Sequence, residues 1–174
     1  STALLLALCS QAAAQEKAPV EQEKHLLARA AGLMSRGSYR EAALILEPLS
    51  ERHPDLRAAA EHLATCYMEM GEAERAVELL ERRVERDGDH FPYARLLGNA
   101  YLDLGEREQA LAAWRGALSD DPRFARNYGL AGRLMREAGF YEEAIETYRR
   151  GRMNGALYRS YTAEIIRLER LLGR

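Results

Sequence analysis

Small residues recur along this chain with a period of 34 residues. Glycines are found at Gly37, Gly71, Gly105 and Gly139, and an alanine follows each of them by five residues. A period of this length with small residues at fixed positions is typical of stacked helical hairpins, because one hairpin cannot bury its apolar face alone. The pattern therefore predicts an all-α protein built from repeated helix pairs.

The period divides most of the chain into repeat windows when each of these glycines is placed at position 15. The four windows, which follow one another without gaps, are 23–56, 57–90, 91–124 and 125–158. Small residues at positions 8 and 20 are expected where the two antiparallel helices of a hairpin cross, and the glycine is expected to turn the chain with a positive φ. Pro54 and Pro122 should follow the ends of second helices, whereas Pro48 lies inside one and should bend it.

The residues at these positions resemble those of the tetratricopeptide repeat (TPR) family. The most similar window is the third, with Leu97, Gly98, Tyr101, Gly105, Ala110, Trp114, Ala117 and Pro122. The resemblance implies a right-handed superhelical solenoid of four antiparallel helix hairpins. It also implies that the first helices of successive hairpins line a concave groove, which binds a peptide or a segment of a protein.

An amphipathic helix is predicted after the last window, at residues 159–174. Tyr161, Ile165, Leu168 and Leu172 recur there at spacings of three and four, with charged residues between them. We expect this helix to cap the exposed face of the fourth hairpin, which the end of a solenoid requires. Two alternatives are pairing with the same helix of another subunit and continuation into a further repeat.

The first fourteen residues differ from the rest of the chain. An uncharged apolar run at 3–9 is followed by small residues up to Ala14, a pattern typical of a cleaved export signal. We therefore expect residues 1–14 to be the remnant of a signal peptide, residues 15–22 to be a flexible leader, and the mature protein to be periplasmic or extracellular. This combination is that of an exported bacterial TPR protein. The alternatives are a first core helix and a lipoprotein acylated at Cys9.

Charge and composition exclude several function classes. The 25 basic and 27 acidic residues give a net charge of -2, so no general attraction to nucleic acid or anionic membranes is expected. The four histidines are scattered, without the helical pairing of a metal site, and no cysteine pair occurs. We expect no catalysis, no metal, no cofactor and no membrane span in the mature chain.

Candidate ligand-binding residues follow from the family resemblance, which implies that certain positions of the first helices face the groove. The groove residues that we select are Met34, His62, Thr65, Arg95, Asn99, Arg126, Arg133 and Arg136. An arginine cluster of this kind favours an acidic peptide or protein partner, held by charge-assisted hydrogen bonds. The alternative is that these arginines pair with Asp103, Glu137 and Glu164 and form an ordinary solvated surface.

The sequence thus favours a non-catalytic protein-protein interaction scaffold or adaptor of the cell envelope. The main alternative is a permanent structural subunit of a larger envelope complex, and a third is a regulatory region of a larger enzyme. A free adaptor is expected to be a monomer or a small oligomer.

Overall fold

The computed structural model describes residues 21–87, 91–116, 118, 125–153 and 158–174, and within these ranges the chain is all-α. The predicted export signal at 1–14, most of the predicted leader and Pro122 lie outside the described residues. The predicted all-α class is confirmed. The described helices are α1 (21–34), α2 (Tyr39–Arg52), α3 (Arg57–Glu69), α4 (Ala73–Asp87), α5 (Phe91–Asp103), α6 (Arg107–Gly116), α7 (Ala125–Glu137), α8 (Tyr141–Met153) and α9 (Tyr158–Leu171).

The boundaries of α1 and α9 differ slightly from those predicted. Helix α1 already includes residues 21 and 22, which the sequence assigns to the flexible leader. Glu21 and Lys24 form an ion pair of 3.8 Å one turn apart, and both residue types favour helices, so helical structure extends into this charged segment. Helix α9 begins at Tyr158, one residue before the predicted capping helix.

The chain forms two compact units, Ser1–Leu79 and Leu80–Arg174. In the first, the N-terminal unit, α2 packs on α3, and the buried side chains include Ala30, Ala42, Leu46 and Leu63. In the second, the C-terminal unit, α5 packs on α6, α7 packs on α8, and α8 packs on α9. Antiparallel neighbours along the chain therefore form the core of each unit.

The same turn joins the two helices of all four hairpins. The predicted glycines have φ angles of 77°, 74°, 79° and 82°, so their left-handed conformation is confirmed. In each turn, the amide that follows the glycine donates a hydrogen bond to a carbonyl five residues earlier, for example from Glu72 to Tyr67 at 2.8 Å and from Phe140 to Met135 at 2.8 Å. This is the hydrogen bond of a Schellman motif, which satisfies a carbonyl at the end of the first helix.

Small residues allow the helices of a hairpin to cross closely, and the third hairpin shows this most clearly. Gly98 of α5 lies against the fully buried ring of Trp114 in α6, so that a Cβ atom at Gly98 would lie 2.5 Å from Cδ1 of that ring. The Trp114 Nε1 atom donates a hydrogen bond of 3.3 Å to the backbone carbonyl of Arg95. The ring is therefore held against the backbone of α5 itself.

Pro48 lies within a second helix, as predicted. Helix α2 continues through Pro48 and ends at Arg52, and Pro54 follows after His53. The side chain of Arg52 donates a hydrogen bond of 3.1 Å to the carbonyl of Pro48. The bend expected at Pro48 stays a prediction.

A polar contact between residues 20 apart recurs where one hairpin follows another. The Tyr67 hydroxyl donates a hydrogen bond of 2.9 Å to Oε1 of Glu47, and the Tyr101 hydroxyl donates one of 2.5 Å to Oε1 of Glu81. In both contacts, the second helix of one repeat supplies the carboxylate and the first helix of the next repeat supplies the hydroxyl. We call these contacts the junction contacts.

The charges of the junction contacts are reversed toward the end of the chain. At the same 20-residue spacing, Arg149 of α8 forms an ion pair of 2.8 Å with Glu169 of α9. Arg115 occupies the position of the junction carboxylate in the third repeat, and its Nη2 atom lies 3.8 Å from Oε1 of Glu143. The later second helices therefore supply a cation where the earlier ones supply an anion.

Helix α9 covers α8 with its apolar face, which is the arrangement that a capping helix requires. Tyr161, Ile165 and Leu168 of α9 are buried in one cluster with Ile145 and Tyr148 of α8. This cluster completes the core of the C-terminal unit at its end.

Candidate functional site

A cleft of about 580 Å³ is formed by residues of α7, α8 and α9 in the C-terminal unit. We call it the α7–α9 cleft. Its lining residues are Arg126, Asn127, Gly129, Leu130, Arg133, Arg136, Tyr148, Ser160, Tyr161 and Glu164. Its volume is within the range of clefts that accommodate small ligands or short peptide segments.

One face of α7 provides the cationic side of this cleft. Arg126, Arg133 and Arg136 lie on it at spacings of seven and three residues, which place side chains on the same side of a helix. Leu130, which lies between them in sequence, is 38% exposed. The α7 side of the cleft thus combines guanidinium groups with an apolar side chain.

Two tyrosines form the opposite side of the cleft, and a glycine allows one of them to approach α7. A Cβ atom at Gly129 would lie 2.7 Å from the hydroxyl oxygen of Tyr161, so any larger residue would force this ring away from the helix. The centroids of the Tyr148 and Tyr161 rings are 5.5 Å apart. Close contact between the two rings stabilises the observed positions of both side chains.

Both tyrosines keep their phenolic protons at ordinary pH. Burial raises the pKa of Tyr148 to about 12, an effect that the nearby Arg136 and Arg133 oppose and Glu164 reinforces. Burial also raises the pKa of Tyr161, against a hydrogen bond with the backbone of Gly129. The tyrosine side of the cleft is therefore neutral.

Arg136 is already paired within the cleft. Its Nη1 atom lies 2.7 Å from Oε2 of Glu164, and its Nη2 atom lies 3.4 Å from Oε1 of Glu137. Oε1 of Glu164 also accepts a hydrogen bond of 3.2 Å from Nη1 of Arg167. For Arg136, the predicted pairing with Glu137 and Glu164 is thus what the structure shows.

Arg126 and Arg133 differ from Arg136 because they are exposed and, within the described ranges of the chain, neither forms an ion pair. The lining of the cleft contains three arginines and a single carboxylate, that of Glu164. Three positive charges and one negative charge leave an excess of two positive charges. This excess suits carboxylate groups of a ligand.

The other five predicted groove residues lie outside the α7–α9 cleft. All five are half-buried, Arg95 and Asn99 on α5 and Met34, His62 and Thr65 in the N-terminal unit. The hydroxyl of Thr65 donates a hydrogen bond of 2.9 Å to the carbonyl of Glu61 in its own helix. The structure therefore brings together three of the eight predicted residues.

Tyr148, Ser160 and Tyr161 line the cleft but are not among the groove residues predicted from the sequence. Tyr161 was assigned only to the apolar face of the capping helix. A signal was present, since continuing the 34-residue register beyond 158 places Ser160 and Glu164 at positions 2 and 6 of a further window. These are positions that the family resemblance assigns to the groove.

Other kinds of site find little support in the described part of the chain. There, no group of three or more histidine, cysteine, aspartate or glutamate side chains is arranged to hold a metal ion. A second, smaller cavity of about 100 Å³ in the N-terminal unit is bordered by His53 and Glu23, whose Nδ1 and Oε1 atoms are 2.8 Å apart. None of the helices within the described ranges has the length and apolar character that crossing a bilayer requires.

Two family models match the sequence. The model of the tetratricopeptide repeat matches residues 95–157, and the model described as anaphase-promoting complex, cyclosome, subunit 3 matches residues 35–117. Together they extend from residue 35 to residue 157. A search of curated proteins finds no match.

Several solved structures are similar to this chain. The MamA protein is 19% identical, with 87% of this chain and 82% of MamA covered and a TM-score of 0.59. A thermophilic TPR protein of Thermus thermophilus is 21% identical, with 87% and 84% covered and a TM-score of 0.60. A Podosopora anserina protein with nearly identical TPR-like repeats is 19% identical, with 86% of each chain covered and a TM-score of 0.62. At these identities the similarity shows the fold.

Proposed function

Because the chain belongs to the tetratricopeptide repeat family, we propose that it is a scaffold of the cell envelope that binds an acidic segment of a partner protein in the α7–α9 cleft. Proteins of this fold are in general interaction scaffolds, and they are typically non-catalytic.

The observation that carries the proposal is the excess of positive charge in the cleft. Arg126 and Arg133 are exposed and unpaired among the described residues, and they lie on the same helix face as Arg136. A guanidinium group presents its donors in a planar fork that matches a carboxylate, and such charge-assisted hydrogen bonds are stronger than neutral ones. Glutamate and aspartate side chains, or a carboxyl terminus, are therefore the groups that the cleft favours.

The apolar parts of the cleft support a peptide rather than a small ion as the ligand. Leu130 is partly exposed beside the arginines, and the rings of Tyr148 and Tyr161 face the cleft from the other side. A ligand that fills this space needs apolar side chains as well as carboxylates. A segment in which glutamate and leucine alternate has both.

The envelope location is supported by the sequence pattern of residues 1–14. An apolar run followed by small residues is typical of an export signal, which leads to the periplasm or the exterior. Anchoring through an acylated Cys9 is the alternative. Fractionation of expressing cells tests both, because a lipoprotein acylated at Cys9 would be recovered with membranes, whereas a protein cleaved after Ala14 would not.

Selection from a displayed peptide library tests the binding function. We expect the selected peptides to be rich in glutamate and aspartate, and the double variant Arg126→Gln with Arg133→Gln to bind them about tenfold more weakly, since two charge-assisted contacts are lost at an exposed site. The control is Arg29→Gln with Arg40→Gln, which removes the same charge from two exposed arginines of the N-terminal unit. Selected peptides without acidic residues, or equal weakening by both double variants, would contradict the proposal.

A permanent structural subunit is the second candidate, favoured by exposed apolar residues on α9. Ile166 is 44% exposed and Leu171 is 62% exposed, although both lie on the helix that covers α8. A subunit of a larger complex would bury such side chains against a neighbour. The native mass in a gentle extract distinguishes the two candidates, because an adaptor is expected to elute as a monomer or small oligomer.

A further inference from the structure

The best-placed arginine of the α7–α9 cleft already holds a carboxylate from the protein itself. Arg136 is the least exposed of the three cleft arginines, with 27% of its side chain accessible, and Glu164 is 24% accessible. Oε2 of Glu164 lies 2.7 Å from Nη1 of Arg136, the distance of a charge-assisted hydrogen bond. A ligand carboxylate would have to replace Glu164 to reach this guanidinium.

Glu164 has a second partner that would remain after such a replacement. Its other oxygen, Oε1, accepts a hydrogen bond of 3.2 Å from Arg167, which is one turn further along α9 and is not part of the cleft lining. Releasing Arg136 would therefore not leave the Glu164 carboxylate without a counter-ion. After the exchange, Arg136 is paired with the ligand carboxylate and Glu164 with Arg167, so neither group is left without an ion pair.

We propose that Glu164 is an internal competitor for the ligand, which sets the affinity and the selectivity of the α7–α9 cleft for acidic segments. This inference rests on the proposed function. A segment with a single carboxylate binds Arg126 or Arg133 and leaves the Glu164 pair intact. A segment with several carboxylates also displaces Glu164 from Arg136, so Glu164 selects for clustered acidic residues.

The chain offers a matched control in Glu169, on the same helix. Oε1 of Glu169 lies 2.8 Å from Nη2 of Arg149, so Glu169 also links α9 to an arginine of another helix, but neither residue lines the cleft. Glu164→Gln and Glu169→Gln remove the same charge, and each weakens one ion pair that links α9 to another helix; Glu164→Gln also weakens the pair with Arg167 within α9. A difference in ligand binding between these variants reports on the cleft rather than on the attachment of α9.

The experiment measures the fluorescence anisotropy of a labelled, amidated octapeptide in which glutamate and leucine alternate. We expect Glu164→Gln to bind this peptide roughly fivefold more tightly than the wild type, because a competing charge is removed from a partly buried site. Glu169→Gln should agree with the wild type within about twofold, since a distant surface charge is largely screened. The same peptide with glutamine in place of glutamate should not distinguish Glu164→Gln from the wild type.

Several results separate the failure of this inference from the failure of the proposed function. If the wild type binds and Arg126→Gln with Arg133→Gln weakens binding, but Glu164→Gln does not tighten it, only the competitor role is refuted. Weaker binding by Glu164→Gln would also refute it, because Glu164 would then orient Arg136 for the ligand. If no variant binds the glutamate peptide, both the proposed function and this inference fail.

A peptide with one glutamate and one with a free carboxyl terminus complete the design. The single-glutamate peptide should gain less than twofold from Glu164→Gln, because it does not need Arg136. Equal gains in affinity for the single-glutamate and the alternating peptide would refute the proposed selectivity for clustered acidic residues. If the free carboxyl terminus alone reproduces the full gain, Glu164 competes with a chain end rather than with clustered side chains, which would also overturn the selectivity.

Discussion

The replacement Gly98→Ala tests the close helix crossing in the third hairpin. A Cβ atom at Gly98 would lie 2.5 Å from Cδ1 and 2.6 Å from Cε2 of Trp114, whereas real Cβ atoms essentially never have contacts below 3.0 Å. The Trp114 ring is fully buried, makes an edge-on contact with Phe140 at a centroid distance of 6.5 Å, and is hydrogen-bonded to the carbonyl of Arg95. The added methyl group must therefore displace the ring or the helix.

Two opposing effects determine the change in the free energy of unfolding. Alanine is favoured over glycine in a helix by about 1 kcal/mol, whereas overpacking a core costs about 1 to 3 kcal/mol. The upper end of that cost applies here, because the ring is held on several sides. We expect Gly98→Ala to be less stable than the wild type by about 2 kcal/mol.

Gly116→Ala is the matched control, at the end of the other helix of this hairpin. A Cβ atom at Gly116 has no heavy atom within 4 Å among those considered. The control should therefore keep the stability of the wild type or gain up to about 1 kcal/mol from helix propensity. The two glycine-to-alanine changes are then expected to differ by about 2 to 3 kcal/mol.

Urea unfolding followed by tryptophan fluorescence measures both variants, since Trp114 is the chain's single tryptophan and lies at the crossing itself. In a thermal scan, Gly98→Ala should lower Tm by roughly 4 to 8 °C. A Gly98→Ala variant as stable as Gly116→Ala would refute the close crossing of α5 and α6.

Two further predictions concern a turn and the response to alkaline pH. Gly71→Ala should lower the free energy of unfolding by about 1 to 2 kcal/mol, because Gly71 has a φ of 74°. Gly71→Asn should lower it less, since asparagine adopts this left-handed conformation more readily than alanine; equal losses of the two variants in urea unfolding would contradict a purely conformational cause. Because the pKa of Tyr148 is raised to about 12 in the folded protein, its contribution to stability is fully present below pH 10 and is lost as the pH rises from 10 to about 12. Tyr148 should therefore contribute up to about 2 to 3 kcal/mol to the decline in the free energy of unfolding over this range, in addition to the contributions of Tyr67, Tyr101 and Tyr161, whose pKa values are also raised. Urea unfolding measures this decline, and a decline as large in Tyr148→Phe as in the wild type would rule out the contribution of Tyr148.

The regular parts of the fold could be predicted from the sequence because they depend on local chemistry. The turn glycines need only a left-handed conformation, and residues such as Ile165 and Leu168 show the apolar face of α9 through their spacing alone. Helical structure at residues 21 and 22 was not predicted, because mixed charge at a helix start resembles the composition of a leader.

The cleft could be predicted only in part. Helical spacing is sufficient to place Arg126, Arg133 and Arg136 on one face of α7. Glu137 adjoins Arg136 on α7 itself, but spacing within a helix cannot choose between partners on other helices, so Asp103 and Glu164 were equivalent alternatives for these arginines. The position of α9 relative to α7 determines that Glu164 pairs with Arg136, and that position depends on the packing of Tyr161 against Gly129.

The charge reversal among the junction contacts has a consequence for the order in which the hairpins assemble. Hairpins of similar shape can dock out of order during folding, which is a characteristic failure of repeat proteins. If α9 docked on α2 or α4 in this register, Glu169 would face Glu47 or Glu81 instead of Arg149, and like charges would repel. The sign of the residue at this position thus disfavours α2 and α4 as partners of α9, so that helices of similar shape are not interchangeable during folding.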